Sequence, residues 1–280
     1  MLDSRLISPV KKNKEMKKIL VPTDFSDTSR NAIEFAGGLA AATGAEIELF
    51  HAYQVVKTAE MFVSVNDIIE KDLENEYAYL VQSLHARYGG DLKVTYKYVE
   101  GYPVDVINRE AKQGFDLVVI GMQGKSALEK LFLGSVATGL LRTSKTPVLA
   151  VPNGVTFKAF KSTIIATDGD HVQDPVLFGP VMEFARIFGS KIDLFYHRSE
   201  KDTNLDIRKH FTWNGVSFDF HIAETDEDTH QALDRFVHTH EADLLVMLHH
   251  RREFWSRIFN PSFTKAQAKI TQIPLLILPV

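Results

Sequence analysis

Short apolar runs alternate with helical patterns along most of the chain. In the first half, runs near 18–22, 46–51, 92–99, 117–121 and 147–151 read as five strands. Between the first two, Ile33, Ala36 and Ala40 share a helical face. Asp27 or Thr28 is available as its N-cap, and Gly44 ends it. A longer helix carries Ile69, Leu73, Tyr77, Leu80, Leu84 and Tyr88 at three- and four-residue spacing and stops at Gly89-Gly90. Pro103 suits the first turn of a third helix with Val104, Ile107 and Ala111 inward, and a fourth fills roughly 127–142. Near-continuous apolar strands alternating with helices predict an α/β fold, a parallel sheet covered on both faces.

The pattern occurs twice. Lys18 to Asp24 matches Ser162 to Asp168, and Gly44 to Phe50 matches Gly189 to Phe195. Asp116 to Ile120 matches Asp243 to Met247, and the closing runs Pro147–Pro152 and Pro274–Pro279 follow at the same offset. Four matches in one order indicate duplication. The expected organisation is a flexible tail over 1–16, a domain over 17–152, a linker over 153–160 and a second domain over 161–280. Patterning begins at Lys17, so Met16 is an alternative start.

The strongest chemical signal is Gly121-Met122-Gln123-Gly124, followed by Gly134-Ser135, directly after the run Leu117–Ile120. Glycines at a strand's end let backbone N–H groups approach an anion, so the segment reads as a phosphate loop. It is not a P-loop, because Val119 stands where that motif needs its first glycine. In parallel sheets ligands bind beyond the carboxyl ends of the strands, where strand order reverses. Thr23-Asp24 and Gly121 lie at two such ends and converge if their strands are neighbours.

Net charge is −4, and residues 17–152 and 153–280 each carry 14 basic and 17 acidic side chains, so neither half offers a basic surface for nucleic acid. The chain has no cysteine, which excludes disulfides, thiolate metal sites and cysteine nucleophiles. No run has membrane-spanning length and the N-terminus has no apolar signal core, so a cytoplasmic protein is expected.

The segment Lys17-Lys18-Ile19-Leu20-Val21-Pro22-Thr23-Asp24-Phe25-Ser26, with the later G-x2-G-x9-G-S spacing, resembles the universal stress protein family in its ATP-binding form. The resemblance is close over 17–152 and weaker over 161–280. It implies two tandem Rossmann-like, flavodoxin-like domains, each a five-stranded sheet of order 3-2-1-4-5, paired through their last strands as an internal pseudo-dimer. A further homodimer stays open. It also implies a site for an adenine nucleotide, ATP, drawn from Pro22, Thr23, Asp24, Ala52, Gly121, Met122, Gly124, Gly134, Ser135 and Val136. Asp24 contacts the nucleotide, with Pro22 and Ala52 on the adenine side and the glycines and Ser135 on ribose and phosphates. If Asp24 meets phosphate rather than ribose, Mg2+ is needed between them.

In the second half Leu248, Arg251 and Pro261 stand where the glycines would be, with Ser262 retained, so that half is expected not to bind nucleotide. The cationic run His249-His250-Arg251-Arg252 is a second anion candidate, and Phe254 and Trp255 an interface candidate. The histidines show no metal-ligand spacing, so no metal site is expected. No catalytic motif is present; at most, Asp24 with a metal supports slow ATP hydrolysis or phosphotransfer. The expected role is a stress-response regulatory or interaction module with an unidentified protein partner. A nucleotide-independent scaffold is the alternative.

Overall fold

A computed structural model describes residues 16–54, 65–122, 134–167, 177–197, 218–223, 229–249 and 272–279. The first half runs β1 (Lys18–Pro22), α1 (Asp27–Thr43), β2 (Glu46–Tyr53), α2 (Val65–Tyr88), β3 (Val94–Glu100), α3 (Pro103–Ala111), β4 (Leu117–Met122), α4 (Ser135–Thr143) and β5 (Val148–Pro152). The second runs β6 (Ser162–Thr167), α5 (Gly179–Phe188), β7 (Lys191–His197), β8 (Phe218–Ala223), α6 (Thr229–Thr239), β9 (Leu244–His249) and β10 (Leu275–Pro279).

The ten described strands form one sheet of order β3-β2-β1-β4-β5-β10-β9-β6-β7-β8. Each half therefore has the order 3-2-1-4-5, and the two join through their last strands. That junction, β5 with β10, is antiparallel, whereas every pairing within a half is parallel. Register is duplicated too. Ile19 pairs with Ile47 and Leu117, and its counterpart Thr163 pairs with Ile192 and Leu244.

The strands are apolar because both faces are covered: Ile19, Leu20 and Val21 are fully buried, as are Leu117, Val118 and Val119. One core lies between the sheet and α1, α2 and α5; the other lies under α3, α4 and α6. The expected linker is a packed seam. Phe157 and Phe160 bridge Phe35 of α1 to Phe184 and Phe188 of α5, with ring centroids 5.2–6.3 Å apart. Such pairs contribute about 0.5–1.5 kcal/mol each beyond the area they bury.

Three local expectations change. Helix α1 is capped by Ser26, not Asp27 or Thr28, because the Ser26 hydroxyl accepts from the Ser29 N–H at 3.3 Å. In α3 the fully buried positions are Val106, Ile107 and Ala111, while Val104 is half-buried against α4. Met16, expected in the tail, is buried, and its N–H donates to Glu183 of α5 at 2.6 Å. Residues 127–133 of the expected fourth helix lie outside the described residues.

The two halves share their anchors at the amino ends of the strands. Asp116 accepts hydrogen bonds from the N–H groups of Lys17 and Lys18 at 2.8 and 3.1 Å. Asp243 does the same for Lys161 and Ser162 at 2.8 and 3.0 Å, and pairs with Lys158 at 2.5 Å. Gly44 and Gly189 end α1 and α5 in the left-handed region, at φ 76° and 63°.

Candidate functional site

The site lies beyond the carboxyl ends of β1, β2 and β4, and the turn after β1 sets its shape. Thr23 continues the sheet, its N–H donating to Phe50 at 2.8 Å. Phe25 then takes φ 62°, a left-handed conformation unusual for a non-glycine residue. It is held on every side. Its N–H donates to the Thr23 hydroxyl at 3.0 Å, and its carbonyl accepts from Arg30 Nε at 3.0 Å. Its ring packs on His51 and Tyr77. His51 Nδ1 donates to the Thr23 carbonyl at 2.8 Å.

This reversal places Asp24 at the mouth and starts α1. Asp24 Oδ1 accepts from the Ser26 N–H at 3.1 Å and the Ser26 hydroxyl at 2.5 Å. Partial burial pushes the Asp24 carboxyl upward. The hydrogen bonds from Ser26, aided by Ser29, outweigh it and hold the group below its ordinary value. Asp24 is thus an exposed, ionised carboxylate fixed in direction by the helix cap it touches.

Behind it is a cavity of about 320 Å³. Pro22, Thr23, Asp24, Ala52, Gly121, Gly134, Ser135 and Val136 of the expected set all line it. Met122 does not; it is buried in the core beneath. Gly124 lies outside the described residues. The cavity also takes in Ser26, Thr28, Ser29, Phe50, Pro103, Ile107, Ile120 and Ala137, which the motifs did not point to. The available signal was position: Ser26 to Ser29 follow a strand end, and Pro103 opens the helix after β3.

The glycines differ in role. A Cβ on Gly121 would stand 2.5 Å from the backbone oxygen of Thr28, so this glycine is required for the close approach of α1 to β4. A Cβ on Gly134 would meet none of the described residues within 4 Å; this glycine is the N-cap of α4, with no side-chain cap. The first-turn N–H groups of α4 have no partners within their own helix, and the positive end of the helix dipole faces the cavity where Ser135 and Val136 line it.

The walls divide by chemistry. Phe50, Ala52, Pro103, Ile107 and Val136 present apolar surface, while Asp24, Ser26, Ser29 and Ser135 present oxygen groups. A cavity of this size, with an apolar wall and a helix N-terminus opposite, fits a ligand with a flat apolar part and an anionic part.

The second half differs at the same edge. Leu248 replaces Gly121 and is buried, its side chain occupying space within the core. Asp168, Arg251, Pro261 and Ser262 lie outside the described residues, as do His250, Arg252, Phe254 and Trp255. Among the described residues no helix is long and apolar enough to cross a membrane.

Known proteins match both the half and the whole. The universal stress protein family profile matches residues 15–152. Universal stress protein MJ0531 of Methanocaldococcus jannaschii is 31% identical over 140 residues, 48% of this chain and 81% of its own length. Universal stress protein MJ0577 of the same organism is 28% identical over 152 residues, 48% of this chain and 94% of its own. A universal stress protein structure from Archaeoglobus fulgidus superimposes with TM-score 0.72 over 95% of this chain and 99% of that one. At 19% identity this is a likeness of fold across both halves. The register, the strand order and a relative of this identity together place the chain in the universal stress protein family.

Proposed function

We propose that the first half, residues 17–152, binds an adenine nucleotide, ATP, and that the protein acts as a nucleotide-dependent regulatory or interaction module. The observation that carries the reading is the cavity at the reversal of strand order, with an apolar wall on one side and the uncapped start of α4 on the other. Pro22, Phe50 and Ala52 supply the base side; Gly134, Ser135 and Val136 supply the phosphate side. Gly121 contributes by letting α1 pack close, not by touching phosphate. Asp24 is ionised and faces the cavity, so a phosphate near it is screened by Mg2+. Bound nucleotide supplies negative charge and ordering energy; the chain's residues bind and orient it. A ligand held only by the folded state adds about 2.7 kcal/mol at a concentration 100 times Kd, enough to reset a weak interface.

Calorimetric titration of nucleotide-free protein with Mg-ATP tests this. The expectation is saturation at one site per chain, weakened on the order of tenfold or more by Gly134→Val, with folding intact. Among the described residues none stands within 4 Å of a Cβ at Gly134, so loss of binding there with folding intact reads the cavity rather than the core. Absence of binding by folded wild type would overturn the proposal.

A further inference from the structure

Far from the cavity, the second half gathers three metal-ligating side chains. Asp193 of β7, His221 of β8 and His240, just past α6, present ligand atoms that all lie within 4.8 Å of one another. We propose that this cluster is a binding site for a divalent transition-metal ion of the zinc type, held by one carboxylate and two imidazoles.

The orientation of each group supports it. The Asp193 side chain is 2% exposed, and its Oδ1 accepts from His221 Nε2–H at 2.9 Å, a proton that an entering ion displaces. His240 Nδ1 lies 3.0 Å from the Phe236 carbonyl and 3.1 Å from the Thr239 hydroxyl. That hydroxyl's own proton goes to the carbonyls of Arg235 and Phe236, at 3.1 and 3.0 Å. Both neighbours of Nδ1 therefore accept, so Nδ1 carries the proton and Nε2 keeps its lone pair. A ring nitrogen bonded to a backbone carbonyl is the usual support behind a metal-bound imidazole. The Phe236 ring lies against both imidazoles, with centroids 4.7 Å from His221 and 3.8 Å from His240.

Distances need only small adjustment. A point central to three atoms no more than 4.8 Å apart lies within about 2.8 Å of each, against ~2.0–2.2 Å for bound zinc. The His221 side chain is 35% exposed, which leaves an entry path and room for a water as fourth ligand. Among the described residues Lys191 forms an ion pair with Asp193, its Nζ 3.2 Å from Oδ1. It is 58% exposed and also pairs with Asp219 at 2.9 Å, so it keeps a partner when the ion enters.

The duplicated half shows what this place holds otherwise. Glu48 is the counterpart of Asp193, and Lys97, paired with Phe50 as His221 is with Phe195, is the counterpart of His221. There, Lys97 forms an ion pair with Glu110 at 2.7 Å. Position 113, the counterpart of His240, is glutamine. An ammonium has no lone pair to offer a metal, whereas two imidazole rings beside a carboxylate suit zinc, copper or nickel.

The test uses the full-length protein stripped with chelator and free of nucleotide, titrated with ZnCl2, with Co2+ as an optical probe. The expected result is one ion per chain, a Co2+ visible absorption showing nitrogen and oxygen ligation, and a raised Tm. His221→Asn and His240→Gln each weaken Kd on the order of tenfold or more and abolish the Tm rise. His238→Gln, in the last turn of α6 and outside the cluster, leaves both unchanged. If wild type shows no saturable binding, the proposal fails. It fails equally if both cluster variants, folded by circular dichroism, bind as wild type does, because the ion is then held elsewhere, as by His249-His250.

Discussion

The two halves keep the same amino-end anchors and differ at the carboxyl edge. Asp116 and Asp243 tie the first strand of each half to the fourth in identical fashion, and Gly44 and Gly189 end equivalent helices in the same left-handed turn. At the opposite edge Gly121 faces Leu248: one lets a helix approach and borders a cavity, the other fills the core. Duplication has therefore preserved what fixes strand order and relaxed what borders the ligand edge. Folding and binding are separable here because they occupy opposite ends of the strands.

Exchanging the differing residues tests this most severely. Leu248→Ala removes buried apolar volume and is expected to destabilise by about 2–4 kcal/mol, read from the urea midpoint. Gly121→Leu, which writes the second half's residue into the first, drives a side chain into Thr28. It is expected to lose about 1–3 kcal/mol and nucleotide binding with it. Equal stability and binding in Gly121→Leu would show that α1 can retreat, and that the edges are interchangeable.

The shared anchors come next. Asp243→Ala strands two backbone N–H groups and the Lys158 partner, an expected loss of about 1–3 kcal/mol. Asp116→Ala should fall below it, since its hydrogen bonds are exposed while those of Asp243 are part-buried. The reverse order would break the assigned symmetry. Gly44→Ala and Gly189→Ala should each lose about 1 kcal/mol, by nearly equal amounts, since the same left-handed turn is forced in both.

The smallest effect concerns Asp24. Its carboxyl sits below the ordinary 3.8 in the folded protein, so its contribution is present above pH 3.8 and is lost as pH falls through the lowered value. Asp24→Asn should thus be less stable than wild type at pH 7, and the gap should close in acid. A gap that widens in acid would contradict the hydrogen bonding seen at Ser26.

Fold and edge were legible in the residues because both depend on local pattern. Buried parallel strands read as apolar runs, and the offset between Asp116 and Asp243 carries the repeat through to the closing strands. The expected residues that line the cavity were legible for the same reason; Met122, which follows the glycine, points into the core instead, and Gly124 lies outside the described residues. What escaped depends on tertiary contact. Ser26 is not legible as the cap because the left-handed turn at Phe25, which sets the helix start, is held by Arg30, His51 and Tyr77 as well as by Thr23. Phe157 and Phe160 read as linker because aromatic partners from two separate helices decide their burial. His221 and His240 have no recognisable spacing; strand register and the end of α6 bring them together. One signal was present: a carboxylate inside an apolar strand, Asp193, repeated at Glu48.

The antiparallel seam of β5 with β10 also imposes an order on assembly. During synthesis the first half can complete its own five strands early, yet β5 then stands as an open edge until β10 has been made and docked. An unpaired edge of Val148, Leu149 and Ala150 is a template for another strand. Chains at this stage are most exposed to pairing with one another. The same seam that makes one sheet of two halves is thus the point at which slow or interrupted synthesis turns into mispairing between molecules.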